Sequence, residues 1–327
     1  DTEMTENLTN HILADTAGSA SLVESKKYSF YEINQLLKFN ISLNALFHNI
    51  SWLADVEDVI VPLTSKFNII RGMRRGWDPM FYPEAGHGIE SEYLSRVIKN
   101  SKKITKLEAT TDSDAFCCSE SLDNLLIKEH TGAYNWIKKF EGGVNKTNNP
   151  LVEVLQKSAP KGGYWYEMRD DSTAELVTTL NANRRLFYSK AEKPSFINQR
   201  LIGLTRLDYN DDLELNHALL NSTFGLFFIE ATGFGKGLGA LDLSKEALAK
   251  TFILNSALLD ETSKNNILEA FKPLKERTIL NIDEELNQED RINFDKVVLN
   301  AFNKIELYPL IKKSLKSLYK TRLTALE

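Results

Sequence analysis

Between Gln199 and Leu248 the apolar positions change period several times, and this stretch organises the reading of the chain. Leu201, Ile202 and Leu204 read as a buried strand, followed by an acidic turn from Asp208 to Asp212. Leu215, Ala218, Leu219 and Phe224 then recur at the spacing of one helix face, and a short apolar segment follows. Gly233, Gly235, Gly237 and Gly239 come next, with Lys236 the single charge among them. Such glycines let a backbone approach a ligand or phosphate closely, or simply build a tight irregular connection. Leu241 and Leu243 read as a second strand, and Ser244 as the N-cap of a new helix.

Downstream the period is helical over Thr262 to Leu274, Asp290 to Phe302 and Tyr308 to Leu323. In the last of these Ile311, Leu315, Leu318 and Arg322 share a face, while Lys312, Lys313, Lys316 and Lys320 lie away from it, solvated or along a phosphate backbone. Upstream, two β-rich runs flank Pro62 and Ser65, and residues 164–188 read as strands around polar turns. Residues 108–160 look mostly helical, with Leu125, Ala133, Trp136, Ile137 and Phe140 as core. Residues 1–28 read as a mobile lead-in with at most one short helix, and the apolar run from Ser29 as a helix or hairpin that docks it. These patterns predict an α+β fold: a mixed twisted sheet region over about residues 58 to 205, then a helical C-terminal part.

The order of these elements resembles the target-recognition region of restriction-modification DNA adenine methyltransferases, the gamma-class type II enzymes, and the related DNA-reading domains of type I specificity subunits. The segment from Phe67 to Ile104, FNIIRGMRRGWDPMFYPEAGHGIESEYLSRVIKNSKKI, is similar to the start of that region: an apolar strand, a Gly-containing turn, an aromatic strand and a helix. The tail with Asp290, Arg291 and Asp295 looks like its helical end. The resemblance runs from Phe67 to the C-terminus. It implies a lead-in and docking segment at 1–57, a DNA target-recognition domain at 58–248 and a helical part at 249–327. It also implies double-stranded DNA as partner, together with a methyltransferase catalytic domain or subunit that would hold S-adenosylmethionine.

Composition narrows the setting. The 327 residues hold 26% charged and 42% hydrophobic side chains, ordinary values for a globular protein. No apolar run approaches the roughly 20 residues of a membrane span, and no signal peptide is visible in the polar first residues. The first residue is Asp, so a longer parent chain is expected. Cys117 and Cys118 are adjacent and unsuited to a bridge, which points to a reducing compartment, the cytoplasm. A net charge of -5 speaks against a nonspecific nucleic-acid coat but leaves room for one basic face.

The candidate basic groups are few. Arg71, Arg74 and Arg75, with Trp77, occur with no acid between Lys66 and Asp78, which suits phosphate clamping at a groove edge or a solvated turn paired with acids elsewhere. Arg184 and Arg185 precede Leu186, Phe187 and Tyr188 as a second basic–aromatic group or a solvated strand edge. Gly235 and Lys236 complete the set of expected DNA contacts.

Methyl transfer to adenine needs a polar-Pro-Pro-aromatic loop that holds the flipped base. Asn149-Pro150-Leu151 lacks the aromatic residue, and Asp78-Pro79-Met80-Phe81 lacks the second proline. A circularly permuted complete methyltransferase using Asp78–Phe81 and the Gly233–Gly239 loop is therefore one alternative, and a protein–protein scaffold module is another. No Ser-His-Asp or Cys-His arrangement and no metal-ligand spacing stands out. The expectation is a DNA reader without catalytic residues, metal or cofactor of its own.

Overall fold

Leu201, Ile202, Gly203 and Leu204 are buried without interruption, as a strand covered on both faces requires. In the computed structural model they belong to a seven-stranded mixed sheet. The structure describes residues 26–236 and 239–324, with Glu6, Asn10 and the paired strands Gly18–Ala20 and Val23–Ser25. Most of the expected lead-in, and Gly237 of the glycine loop, lie outside the described residues.

The strands that matter for the site are β1 (Phe67–Arg71), β2 (Leu94–Ile98), β3 (Glu108–Ala109), β4 (Ser113–Phe116) and β5 (Thr173–Thr179). They are followed by β6 (Asn181–Ala182), β7 (Ser189–Ile197), β8 (Leu201–Arg206), β9 (Phe234–Lys236) and β10 (Ala240–Asp242). The large sheet has the order β1-β8-β5-β7-β2-β4, with β3 also on β7; β7 runs parallel to β2 and β3, and the other pairs are antiparallel. A small sheet has the order β9-β10-β6.

The large sheet curls until its first strand meets β7. Met73 bridges Asn198, with Met73 N donating to Ile197 O at 2.9 Å and Gln199 N to Met73 O at 3.0 Å. Gly72 permits this closure, because a Cβ there would lie 2.2 Å from the carbonyl oxygen of Asn198.

The α-helices of six residues or more among the described residues are α1 (Phe30–Leu37), α2 (Leu122–Ile127), α3 (Thr131–Glu141), α4 (Leu151–Gln156) and α5 (Leu213–Leu220). Then come α6 (Thr223–Thr232), α7 (Glu261–Glu276), α8 (Glu289–Ala301) and α9 (Tyr308–Thr324). The fold is thus α+β. The single helix expected over Leu215 to Phe224 is two helices. They break at Asn221, whose amide closes on Tyr188 through both backbone groups (Tyr188 N to Oδ1, 3.0 Å; Nδ2 to Tyr188 O, 2.8 Å), and Ser222 then caps α6. All of α6 up to Ala231 is buried, so it carries no polar stripe to mark its period. Within SEYLSRVIKN, Leu94–Ile98 is a strand where a helix was expected, because Leu94 to Val97 pair with β4 and Val97 and Ile98 pair with Phe196 and Ile197.

Two apolar cores result. The larger draws on Trp52 before the sheet, Leu176 within it, Phe227 of α6 and Leu315 of α9. Trp52 meets Phe227 edge to face at 4.9 Å. The smaller packs Met80, Phe81, Ile137 and Tyr166 under α2, α3 and α4, which stand as an excursion between β4 and β5.

Candidate nucleic-acid interface

The β7–β8 turn, Asn198 to Arg200, is where the sheet closure gathers cations. The buried Asn198 amide donates to Tyr82 Oη at 2.6 Å and accepts from Arg200 N at 3.1 Å, which fixes the turn. Its backbone N–H donates to Ile98 O (3.1 Å), so Lys99 lies beside it. Gln199 O accepts from Arg71 Nε at 3.3 Å, and Arg200 O accepts from Leu180 N at 2.9 Å. One turn therefore joins the ends of β1, β2 and β5. Arg71, Arg74 and Arg200 are exposed and form no ion pair among the described residues, while Lys99 stands 3.9 Å from Asp78.

The small sheet continues this surface. Asn181 Nδ2 donates to Asp242 Oδ1 at 2.7 Å, and Lys236 Nζ pairs with the other oxygen of Asp242 at 2.7 Å. Gly235 and Lys236 of the glycine-rich stretch lie in β9, which pairs with β10, itself laid on β6 through Leu241 and Ala182. From behind, Arg322 of α9 binds the Glu230 carboxylate (2.6 and 3.0 Å), the Gly239 carbonyl and the Asn183 carbonyl (2.8 Å). Burial pushes the Glu230 carboxyl upward, and the guanidinium opposes that shift. Next to Asn183, Arg184 is exposed, and Arg185 donates to Ile104 O at 2.8 Å while lying over the Phe187 ring. A cleft of about 320 Å³ opens here between Lys102, Asn183, Arg184 and Asn281.

The expected cluster at residues 71–77 divides. Arg71 and Arg74 face solvent, but Arg75 is 3% exposed, which corrects its assignment as a phosphate contact. Its guanidinium donates to Trp165 O (2.6 Å), Ser158 Oγ (3.1 Å) and Leu155 O (3.4 Å), and lies over the Phe81 ring. Desolvation pulls it down to about 10, and Glu167 works against that. Trp77 is half-buried against the smaller core. Arg184, Gly235 and Lys236 are exposed, and Arg185 half so. Lys99, Lys102 and Arg200 join the surface although sequence reading passed them over. Each is a cation just past a strand end, a position that only strand pairing reveals.

The segments of the permuted alternative have structural roles. Asp78–Phe81 is a single helical turn with Met80 and Phe81 fully buried, so Phe81 has no face for a base. In the glycine stretch, Phe234–Lys236 pair antiparallel with Ala240–Asp242 and follow a helix, unlike the strand-to-helix turn that a nucleotide cofactor takes. The thiols of Cys117 and Cys118 are pushed up by burial to about 12 and about 11, which holds them protonated and poorly nucleophilic. Among the described residues no group of three His, Cys, Asp or Glu could hold a metal ion. No described helix is long and apolar enough to cross a membrane.

No protein-family model matches the chain, and no curated protein matches it. Among solved structures, it is similar to the type IIG restriction endonuclease BpuSI, with a TM-score of 0.55 at 13% identity over 97% of this chain and 38% of that one. The type IIL restriction-modification enzyme MmeI, solved in complex with DNA, gives a TM-score of 0.39 at 13% identity over 79% of this chain and 36% of that one. The likeness to BpuSI is one of fold, and the chain spans well under half the length of that restriction-modification enzyme.

Proposed function

We propose that this chain binds duplex DNA as the target-recognition part of a restriction-modification adenine methyltransferase. Residues 58–248 carry the DNA contacts, and a catalytic domain or subunit beyond this chain supplies methyl transfer and S-adenosylmethionine binding. The observation that carries the proposal is the convergence of Arg71, Arg74, Lys99 and Arg200 on one turn, continued through Asn181 to Arg184 and Lys236. A chain of net charge -5 that collects these cations on one surface, with Arg71, Arg74, Arg184 and Arg200 in no ion pair among the described residues, suits a polyanion bound there. The fold shared with a restriction endonuclease over nearly the whole chain supports the same reading. The adenine specificity of the partner domain rests on the sequence resemblance.

The test replaces Arg71, Arg74 and Arg200 together by Ala and leaves Arg75 in place. Anisotropy titrations with labelled duplexes at several KCl concentrations then read the affinity. Binding should weaken for all sequences alike, and the slope of log affinity against log salt should flatten by about 2.7, at about 0.9 per phosphate contact. A folded triple variant with the parental slope would remove this turn from the interface.

A protein–protein module is the second reading. Phe30 and Tyr31 at the start of α1 are 85% and 72% exposed, with Leu43 close behind at 66%. Apolar side chains so gathered suit contact with another protein surface.

A further inference from the structure

The cleft beside Arg184 differs chemically from the turn at Arg200, and the difference assigns it a role. Its wall carries the amides of Asn181, Asn183 and Asn281 next to Arg184, Arg185 and Lys102, over the buried Phe187 ring, and no carboxylate lines it. Asn181 is spent on Asp242. The side chains of Asn183 and Asn281 make no hydrogen bond among the described residues, and neither does the Arg184 guanidinium. Asn281 is notable because it stands at an N-cap position, where Asn normally caps, yet its side chain does not.

The backbone beneath these groups is fixed from three directions. Arg322 holds the Asn183 carbonyl at 2.8 Å, Ile282 N donates to the Arg184 carbonyl at 2.9 Å, and Arg185 is tied to Ile104 O at 2.8 Å. The Arg184–Ile282 bond also joins the loop that bears Asn183 to the one that bears Asn281. Unused polar groups on a held backbone are pre-organised for a ligand.

The ligand's chemistry follows from the donors and acceptors. A phosphate offers acceptors alone and is met by donors alone, as at Arg71, Arg74 and Arg200. A carboxamide offers a donor and an acceptor side by side, which matches the N6 and N7 edge of adenine, and a guanidinium matches O6 and N7 of guanine. Resting on the duplex-DNA reading above, we infer that Asn183, Asn281 and Arg184 form the base-reading cleft of this chain, while the Asn198–Arg200 turn grips the backbone.

The experiment first selects duplexes from a random-sequence library with the whole chain, giving a preferred duplex and an unselected one. Affinities for both are then measured at several salt concentrations for the parent, Asn183→Ala, Asn281→Ala and the Arg71/Arg74/Arg200 triple-Ala variant. Asn183 is exposed and Asn281 half-exposed, so both single variants should fold. Each should lose about 5- to 150-fold on the preferred duplex, with little change on the unselected one and an unaltered salt slope. Equal losses on both duplexes with a flatter slope would make the cleft a phosphate site and overturn the inference. Parental affinities in both single variants, with the triple variant weakened, would also overturn it while the DNA reading stands. A parent that binds no duplex would remove both readings together.

Discussion

The chain uses arginine in opposite ways in its interior, here its rear, and on its exposed front. In the interior, Arg322 is closed in by Glu230 and two carbonyls, and Arg291 is similarly enclosed by Glu285 and the carbonyl of Asn221. In front, Arg71, Arg74, Arg184 and Arg200 stand in solvent without a carboxylate partner among the described residues. The rear arginines are structural: their charge is neutralised where water is absent, and their fork of donors satisfies loop carbonyls that would otherwise be orphaned. The front ones are free for an anion. Side-chain identity does not separate the two groups; partner and burial do, as neighbours Arg74 and Arg75 illustrate.

The largest effect that would break this contrast is at Arg322. Arg322→Met leaves the Glu230 carboxylate buried without its counter-charge, and urea unfolding should show a loss of about 3–5 kcal/mol. Adding Glu230→Leu should restore much of it, because the uncompensated charge goes with it. A single variant that kept the parental midpoint would place Arg322 with the front group.

Arg75 against Arg74 sharpens the comparison within one turn. Arg75→Ala removes a charged donor from two carbonyls and a hydroxyl and should cost about 3 kcal/mol, whereas Arg74→Ala should stay within about 0.5 kcal/mol. Equal midpoints for the two would sink the distinction.

A smaller effect comes from His217, fully buried at the back of the sheet with Nε2 2.7 Å from Tyr188 O. Desolvation lowers its pKa to about 3, while the Tyr188 carbonyl pulls it the other way. The unfolded chain takes up the proton near pH 6.5 and the folded chain does not, so this contribution is complete above 6.5 and fades as the pH falls toward 3. By pH 5 the loss should be about 2 kcal/mol, and His217→Gln should flatten that part of the stability profile if it folds. A parent and a variant with the same pH dependence would exclude His217 as its source.

Much of the fold was legible in the sequence. The face of Ile311, Leu315, Leu318 and Arg322 is buried as its period says, and Ser244 caps a helix through Ala247 N. Leu201 to Leu204 form a buried strand. What escaped has a physical cause in each case. α6 is buried all round, so no polar stripe marks its period as a helix. β2 becomes a strand by pairing with β4 on one edge and with β7, nearly a hundred residues away in sequence, on the other. The candidate site was legible as residue types more than as a place. Arg184 and Lys236 were singled out separately, and only the pairing of β6 with β10 makes them neighbours. Arg200 carried no signal at all, since a lone arginine in a turn is ordinary.

The closure at Gly72 also shapes how the chain reaches this structure. β1 finds its partner β8 only after the whole helical excursion has been made, so the ring is built from contacts distant in sequence, which slows folding. On the ribosome β1 emerges first and waits with both edges unpaired, a state open to association with other chains. The smaller core draws on that excursion and on the residues from Met80 to Phe116 that precede it, with Phe196 its last member, so all of it is made before β8 and can gather first. Synthesis of β8 is then the step that ends the exposure, and Gly72 is the position at which any side chain would prolong it.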